Sequence, residues 1–286
     1  MKDPRHYQIA ALSLLLAYGM TQLGFDVTPE RVALIVGTAL LTQWVCSCLA
    51  RIGFDPRSAL ISALSLCLLL RSNSALLLAA GAIIAVASKF LIRVRGKHVF
   101  NPTDGAIVSL MLLTDRVWVS PGQWGNIAFF AFLITCLGGL VVNRASRSDV
   151  TYAFILFYCA LMFGRSLWLG EPMTIPLHRL ENGALLLFTF FMISDPKTTP
   201  DARSGRILFA AIVAFGAWYI QFRMFRTNGS LWSLAICSTL TPLIDLALRA
   251  SRYTWTRQSP NAATWQQGEP TCTLDASTSP SLSFSR

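Results

Sequence analysis

The 286-residue chain is short of charge. Charged residues make up 13 % of it and hydrophobic residues 53 %, whereas soluble globular domains carry about 25 % charge. A water-facing surface of this size cannot be built from so few charges, which excludes a soluble globular protein. The same numbers exclude disorder over most of the chain. Acidic residues are fewer than basic ones, 14 against 24, giving a net charge of +10. Histidine is rarer still: His6, His98 and His178 are scattered. Cys46-Ser-Cys48 has no C-x-x-C spacing, so no metal-ligand pattern is present and no metal is expected. The seven cysteines (Cys46, Cys48, Cys67, Cys136, Cys159, Cys237 and Cys272) mostly lie inside apolar runs. There they read as small hydrophobes rather than as a disulfide framework. Walker, dinucleotide-fingerprint and H-E-x-x-H motifs are missing, and with them any legible soluble catalytic domain. The remaining class is an all-α polytopic membrane protein. Its partner is the lipid bilayer, its positive charge belongs to its loops, and no nucleic acid is implied.

A helix crosses the bilayer with about 20 apolar residues. The chain offers ten candidate spans, at roughly 7–23, 32–50, 59–70, 75–92, 105–114, 125–142, 150–168, 183–194, 206–222 and 230–248. The first has basic flanks like a signal peptide, but Leu23-Gly-Phe-Asp26 has no small-residue cleavage site, so it reads as a mature span. With the N-terminus placed in the cytoplasm, sixteen Lys and Arg fall in inside segments and seven in outside ones, with Lys89 inside a span. The positive-inside rule then puts both termini in the cytoplasm. Trp118, Trp124, Trp168, Trp218, Tyr219 and Trp232 fall near the outer ends, as an aromatic belt would. The expected organisation is a transmembrane domain over 1–252 and a disordered cytoplasmic tail over 253–286, rich in Ser, Thr, Pro and Gln.

Segments 59–70, 105–114 and 183–194 are too short to cross a core roughly 30 Å thick. Helices that stop inside a membrane are tolerated only where protein or a polar cavity covers their free N–H and C=O ends. Ten helices divide into five plus five, and an odd number per half inverts the second half relative to the first. The third helix of each half is then short. Of the fifth helices, 105–114 is short and 230–248 carries Pro242. Short or proline-interrupted segments in corresponding positions point to a binding site at the membrane midplane; helices merely shielded inside the bundle are the alternative.

Two runs carry the polar residues. Lys89 to Gly105 places a basic loop before a short helix. Asn101 or Asp104 can cap that helix, and Pro102 suits its first turn. The candidate polar site therefore includes Asn101, Pro102, Thr103, Asp104 and Gly105, at a helix start whose free donors favour an anion or an oxygen-rich ligand. The second run, Phe190 to Pro200, closes the short helix 183–194 and adds Ser194, Asp195 and Pro196. For both runs an ordinary capped loop is the alternative. Of the ionisable residues in the spans, Lys89 and Arg165 lie near membrane surfaces, where snorkelling is expected of Lys89. Asp245, three residues after Pro242, is the candidate for an ion pathway.

The chain resembles the membrane-subunit family that includes NqrB of the sodium-pumping NADH:quinone reductase and RnfD of the Rnf complex. The resemblance rests on Asp55-Pro56, Leu68-Leu-Leu-Arg71, Lys89 through Asn101-Pro102, Phe190-Phe-Met192, Ser194-Asp-Pro196 and Gly205-Arg206, and covers residues 7–248. It implies a urea-transporter-like fold of ten helices in inverted halves. It also implies electron transfer between flavins, coupled to ion movement, within a complex of other membrane or redox subunits. Redox members of the family attach FMN to a Thr in an S-x-A-T motif, which the stretch Asp115–Gly125 lacks. Covalent FMN is therefore not expected, and any flavin, FMN or riboflavin, is expected to be held non-covalently. In this the chain is closest to short stand-alone members such as the UnbU-like proteins. The expected role is a membrane subunit of an electron-transfer system. The alternatives are a solute or ion channel of the same fold, and an accessory membrane protein of a biosynthetic cluster.

Overall fold

The computed structural model describes residues 3–120, 127–180 and 182–253. Trp124, part of the Asp115–Gly125 stretch, and the tail except Tyr253 lie outside the described residues.

Four helices begin in the same way. Each has a side-chain acceptor at the N-cap and a proline in the first turn, which wastes no N–H there. They are α1 (Pro4–Gln22) after Asp3, α2 (Pro29–Leu49) after Thr28, α3 (Pro56–Leu69) after Asp55 and α5 (Pro102–Leu113) after Asn101. Between them runs α4 (Ala75–Leu91), and the second part of the chain begins with α6 (Ile127–Arg144) and α7 (Ser148–Leu169). Gly170 ends α7 at φ 67°, and the N–H groups of Gly170 and Glu171 return to Leu167 and Ser166. This is the left-handed cap that glycine adopts without a Cβ penalty. Then come α8 (Thr174–Leu180), α9 (Gly183–Leu187) running into a π-helical turn (Phe188–Met192), α10 (Arg203–Phe222), α11 (Gly229–Ser238) and α12 (Thr241–Ala247). In the packing, α2 lies on α3 and α4, α1 on α3 and α6, and α10 on α7 and α11.

The protein is an all-α membrane protein in its architecture. Among the described residues α2, α7 and α10 are each long and apolar enough to cross a membrane, and the α11–α12 pair adds a fourth span bent by 51°. Each of the ten apolar segments read from the sequence contains a helix. The proline-interrupted segment 230–248 is two helices: it breaks between Ser238 and Thr241, just before Pro242. A proline ring cannot follow an unbroken turn, because it clashes with the carbonyl four residues earlier. Helix α8 lies between two of the apolar segments, in the connection from α7 to α9.

The expected short helices are short: 14 residues in α3, 12 in α5, and 5 plus 5 in α9 and its π turn. At 1.5 Å per residue none exceeds about 21 Å. Their ends show what the purely helical expectation lacks. Past α3 and α5 the chain becomes extended, and strand β1 (Leu70–Ser72) pairs antiparallel with β4 (Val117–Val119), Arg71 opposite Trp118. Beside the ladder the Ser120 N–H donates to the Leu69 carbonyl at 2.8 Å, a group that the end of α3 leaves free. Arg71 is 6 % exposed and donates Nη1 to the carbonyls of Cys67 at 2.9 Å and Leu70 at 3.0 Å. It thereby covers the C-terminal end of α3. A second ladder, β2 (Arg93–Val94) with β3 (Lys97–His98), makes a hairpin between α4 and α5.

Candidate functional site

The site is built where α5 begins and the π turn ends. Asn101 is buried. Its Oδ1 accepts from the N–H groups of Thr103 at 3.1 Å and Asp104 at 3.2 Å, so Asn101 is the cap of α5. Its Nδ2 reaches across the bundle to the carbonyl of Met192 at 3.2 Å and to Asp195 Oδ2 at 3.5 Å. One amide thus joins the start of one short helix to the end of another. The two sequence runs, 91 residues apart, meet here.

Asp104 does not cap. It is 0 % exposed, and among the described residues neither carboxyl oxygen has a hydrogen-bond partner. Burying a carboxyl in this way is costly, and it is the outstanding electrostatic feature of the site. Thr103 and Pro102 are buried beside it. Gly105 is half-buried, with room for a Cβ only 3.2 Å from Phe100 Cβ.

Asp195 closes its own loop. Its carbonyl accepts from the hydroxyls of Thr198 at 3.3 Å and Thr199 at 3.0 Å, and its Oδ1 from the Lys197 N–H at 3.0 Å. Ser194 is turned to local use, its Oγ donating to the Phe190 carbonyl at 2.6 Å. Pro196 is buried. The helix ends at Met192, ahead of Asp195, through a π turn in which the Ile193 N–H returns to the Phe188 carbonyl. Widened turns of this kind recur at functional sites. The Thr151 hydroxyl supports it by donating to the Thr189 carbonyl at 3.2 Å.

Three further charged residues differ in their surroundings. Lys89 does not snorkel. It is 4 % exposed and donates Nζ to the carbonyl of Ser58 at 2.7 Å and to its hydroxyl at 3.0 Å. The first turn of α3 draws it inward. Arg165 pairs with Glu171 at 2.7 Å and stacks over Phe222. Asp245 lies apart from Asn101 and Asp104, in a cluster with Lys97, whose Nζ is 2.7 Å from Asp245, 3.2 Å from Asp201 and 2.8 Å from the Thr199 carbonyl. Asp245 also accepts from the Asp201 N–H at 2.8 Å. This cluster ties the β2–β3 hairpin to α12 and to the loop after the π turn. Ser58, Met192, Lys97 and Asp201 do not stand out in the sequence, because each acts through a partner distant along the chain. The only local signal is that Lys97 lies inside the basic run.

A second network pins the start of α1 to the start of α3. Arg5 bonds Asp3 and Asp55 at 2.6 Å each, and Arg57 bonds Asp3 at 2.9 Å and Asp55 at 2.8 Å. Burial alone would raise the Asp55 carboxyl. The hydrogen bonds and charges of Arg57 and Arg5 outweigh it and hold the group at about 2.

The family model described as NQR2, RnfD, RnfE matches residues 111–254, half of the 286-residue chain. The match includes Ser194–Pro196 and Asp245, whereas Asn101–Gly105 lie just ahead of it. The D subunit of the ion-translocating oxidoreductase complex of Escherichia coli (strain K12) is 30 % identical over 137 residues, which cover 46 % of this chain and 36 % of the relative. The protein of that name from Klebsiella pneumoniae (strain 342) has the same identity and coverage. The one from Pectobacterium carotovorum subsp. carotovorum (strain PC1) is 29 % identical over 136 residues. The chain thus spans little more than a third of the length of these relatives. The match over half of its sequence places the chain in the NQR2, RnfD, RnfE family.

Proposed function

We propose that the chain is the membrane subunit of an electron-transfer system coupled to ion movement, working with other membrane or redox subunits in a bacterial inner membrane. The relatives' description as subunits of an ion-translocating complex supports this reading. The observation that carries it is Asp104, a fully buried carboxyl without a hydrogen-bond partner at the start of a half-length helix. An ionisable group inside a membrane bundle is costly and marks ion or proton pathways. A proton or a small cation taken up at Asp104 would relieve that cost. Asp245 is already paired with Lys97, so the ion step belongs at Asp104 and the Asn101–Asp195 contact, with Asp245 positioning the loop. In the proposed topology ten segments form two inverted five-helix halves of urea-transporter-like fold, both termini cytoplasmic. The short third helices α3 and α9, and the short or broken fifth helices α5 and α11–α12, support that pairing.

A pocket beside this site supports the reading of a non-covalent flavin. Between α4, α5 and α11 lies a pocket of 410 Å³ lined by Phe100, Gly105, Ser109, Trp232 and Ser88, among apolar residues. Ligand pockets range over about 300–1,000 Å³ with mostly apolar walls and a few polar groups. Phe100 and Trp232 would hold a planar ring, and the two serines would orient its polar edge. Among the described residues no cation lines the pocket, which favours riboflavin over the phosphate of FMN. A bound flavin would supply one- and two-electron transfer, and the chain would position the ring and keep water from it. Of the sequence-derived site residues only Gly105 lines the pocket, so the flavin would stand beside the Asn101–Asp104 start of α5.

A visible absorption spectrum of the purified protein tests this reading. Flavin bands, with no fluorescent band on a denaturing gel, are expected. A spectrum without flavin overturns the redox role, and ion or solute flux without flavin would favour the channel reading. A fluorescent gel band would refute non-covalent attachment.

A further inference from the structure

The basic loop of the sequence has a structural use apart from Asn101 and Asp104. Arg95 and Gly96 form the tip of the β2–β3 hairpin with φ of 50° and 77°, the paired positive values of a tight two-residue turn. The tip folds beside the segment that follows α12, and a Cβ on Gly96 would lie 3.8 Å from Arg252 Nη1. Between hairpin and segment is a pocket of 210 Å³ whose walls include Arg95, Lys97, His98, Asp245, Arg249 and Arg252.

The charges in this pocket are unevenly committed. Lys97 is engaged by Asp245 and Asp201. His98 is neutral near pH 7, because burial, with the charge of Arg93 nearby, pushes its imidazole down to about 4. Arg95, Arg249 and Arg252 are exposed and have no acidic partner among the described residues. Three free guanidinium groups therefore converge on one opening. Val94, Val99 and Pro242 give its wall an apolar part, and Leu91, Ile92, Leu243 and Leu246, exposed large hydrophobes, neighbour its lining residues along the chain. A cationic opening rimmed by apolar side chains at the end of a membrane helix matches a ligand with an anionic head and hydrocarbon chains. Guanidinium groups suit phosphate oxygens in particular, because they present paired donors in one plane.

We propose that this pocket binds the phosphate of an anionic phospholipid headgroup, with Arg95, Arg249 and Arg252 as its ligands and the apolar rim receiving the acyl chains. A basic pocket at the surface end of membrane helices is a known form of lipid site. The proposal depends on membrane insertion and is independent of the redox reading.

Full-length protein in detergent is titrated with phosphatidylglycerol, phosphatidylcholine, inorganic phosphate and glycerol phosphate, with native mass spectrometry and melting temperature as readouts. Phosphatidylglycerol is expected to bind and raise the melting temperature, and phosphatidylcholine is not. The R95Q/R249Q/R252Q variant should bind phosphatidylglycerol on the order of 100-fold more weakly, from roughly fivefold per cation near an anionic surface. Its lipid-free melting temperature should be unchanged, and R95K/R249K/R252K should restore part of the affinity. Removing Arg51 and Arg203, exposed arginines outside the pocket, should leave affinity within a few-fold. Equal binding of phosphatidylcholine, an equal shift with inorganic phosphate or glycerol phosphate, unweakened binding in the triple Gln variant, or equal loss in R51Q/R203Q would each overturn the proposal.

Discussion

Replacing Asp104 by Ala separates a functional carboxyl from an ordinary helix cap. Capping of α5 is already supplied by Asn101, which accepts from the N–H groups of both Thr103 and Asp104. For the Asp104 side chain there remain three terms. As a first-turn acid it favours the helix start by about 0.3–1 kcal/mol. Its burial without a partner opposes folding by about 1–3 kcal/mol on the scale of protein mutations. Removing it leaves a small cavity that costs about 1 kcal/mol. The gain of about 1–3 kcal/mol and the two losses, together about 1.3–2 kcal/mol, nearly cancel, so Asp104→Ala should melt in detergent close to the wild type. Asn101→Ala is the contrasting variant. It removes the cap and the bond to the Met192 carbonyl, and the cap alone is worth about 0.5–2 kcal/mol. For a chain of this size that lowers the melting temperature by roughly 1–8 °C. Ion uptake into proteoliposomes is the functional readout and should be lost in Asp104→Ala. A variant with a clearly lowered melting temperature and intact uptake would refute the reasoning, because Asp104 would then be a structural acid.

Other parts of the structure give independent checks. A Cβ on Gly138 of α6 would lie 2.5 Å from Phe190 Cβ, so Gly138→Ala should force α6 from the π turn and lose about 1–3 kcal/mol, read as a lowered melting temperature. Asp55 titrates at about 2 when folded, below its ordinary 3.8, so its stabilisation is complete above about pH 4 and disappears as pH falls through 2. The side chain is a third exposed, and screening reduces the effect to about 1 kcal/mol or less. The melting-temperature difference between wild type and Asp55→Asn should therefore be constant above pH 4 and shrink below it; a difference that grew on acidification would contradict the assignment. Reporter fusions at Gly122 and Pro200 should report periplasm and cytoplasm respectively, and the reverse at either position would break the proposed span order.

Composition and pattern carried much of this protein. Thirteen per cent charge cannot clothe a soluble domain of this size, and the apolar segments place the helices to within a few residues. The N-caps at Asp3, Thr28, Asp55 and Asn101 are legible because an acceptor followed by proline is a local signal, needing only the next few residues to act. The shortness of α3, α5 and α9 is equally local, since the count of apolar residues sets it. The broken tenth helix is half legible: Pro242 marks the place, and the bend itself is a property of the packed chain.

What tertiary structure decided is how the ends of the short helices are satisfied. No sequence pattern shows that Leu70–Ser72 pairs with Val117–Val119, because a three-residue ladder has no periodicity to detect and its partners are 45 or more residues apart. Nor does any pattern show that Arg71 turns back onto the carbonyls of its own helix, or that Lys89 is drawn to Ser58 rather than to the membrane surface. Asn101 and Asp104 look equivalent as caps in the sequence. The fold gave the capping hydrogen bonds to Asn101 and left the Asp104 carboxyl buried without a partner among the described residues. That difference exists only once α5 is packed against the end of the π turn, because local sequence fixes which groups need partners, while packing alone fixes which of them receive one.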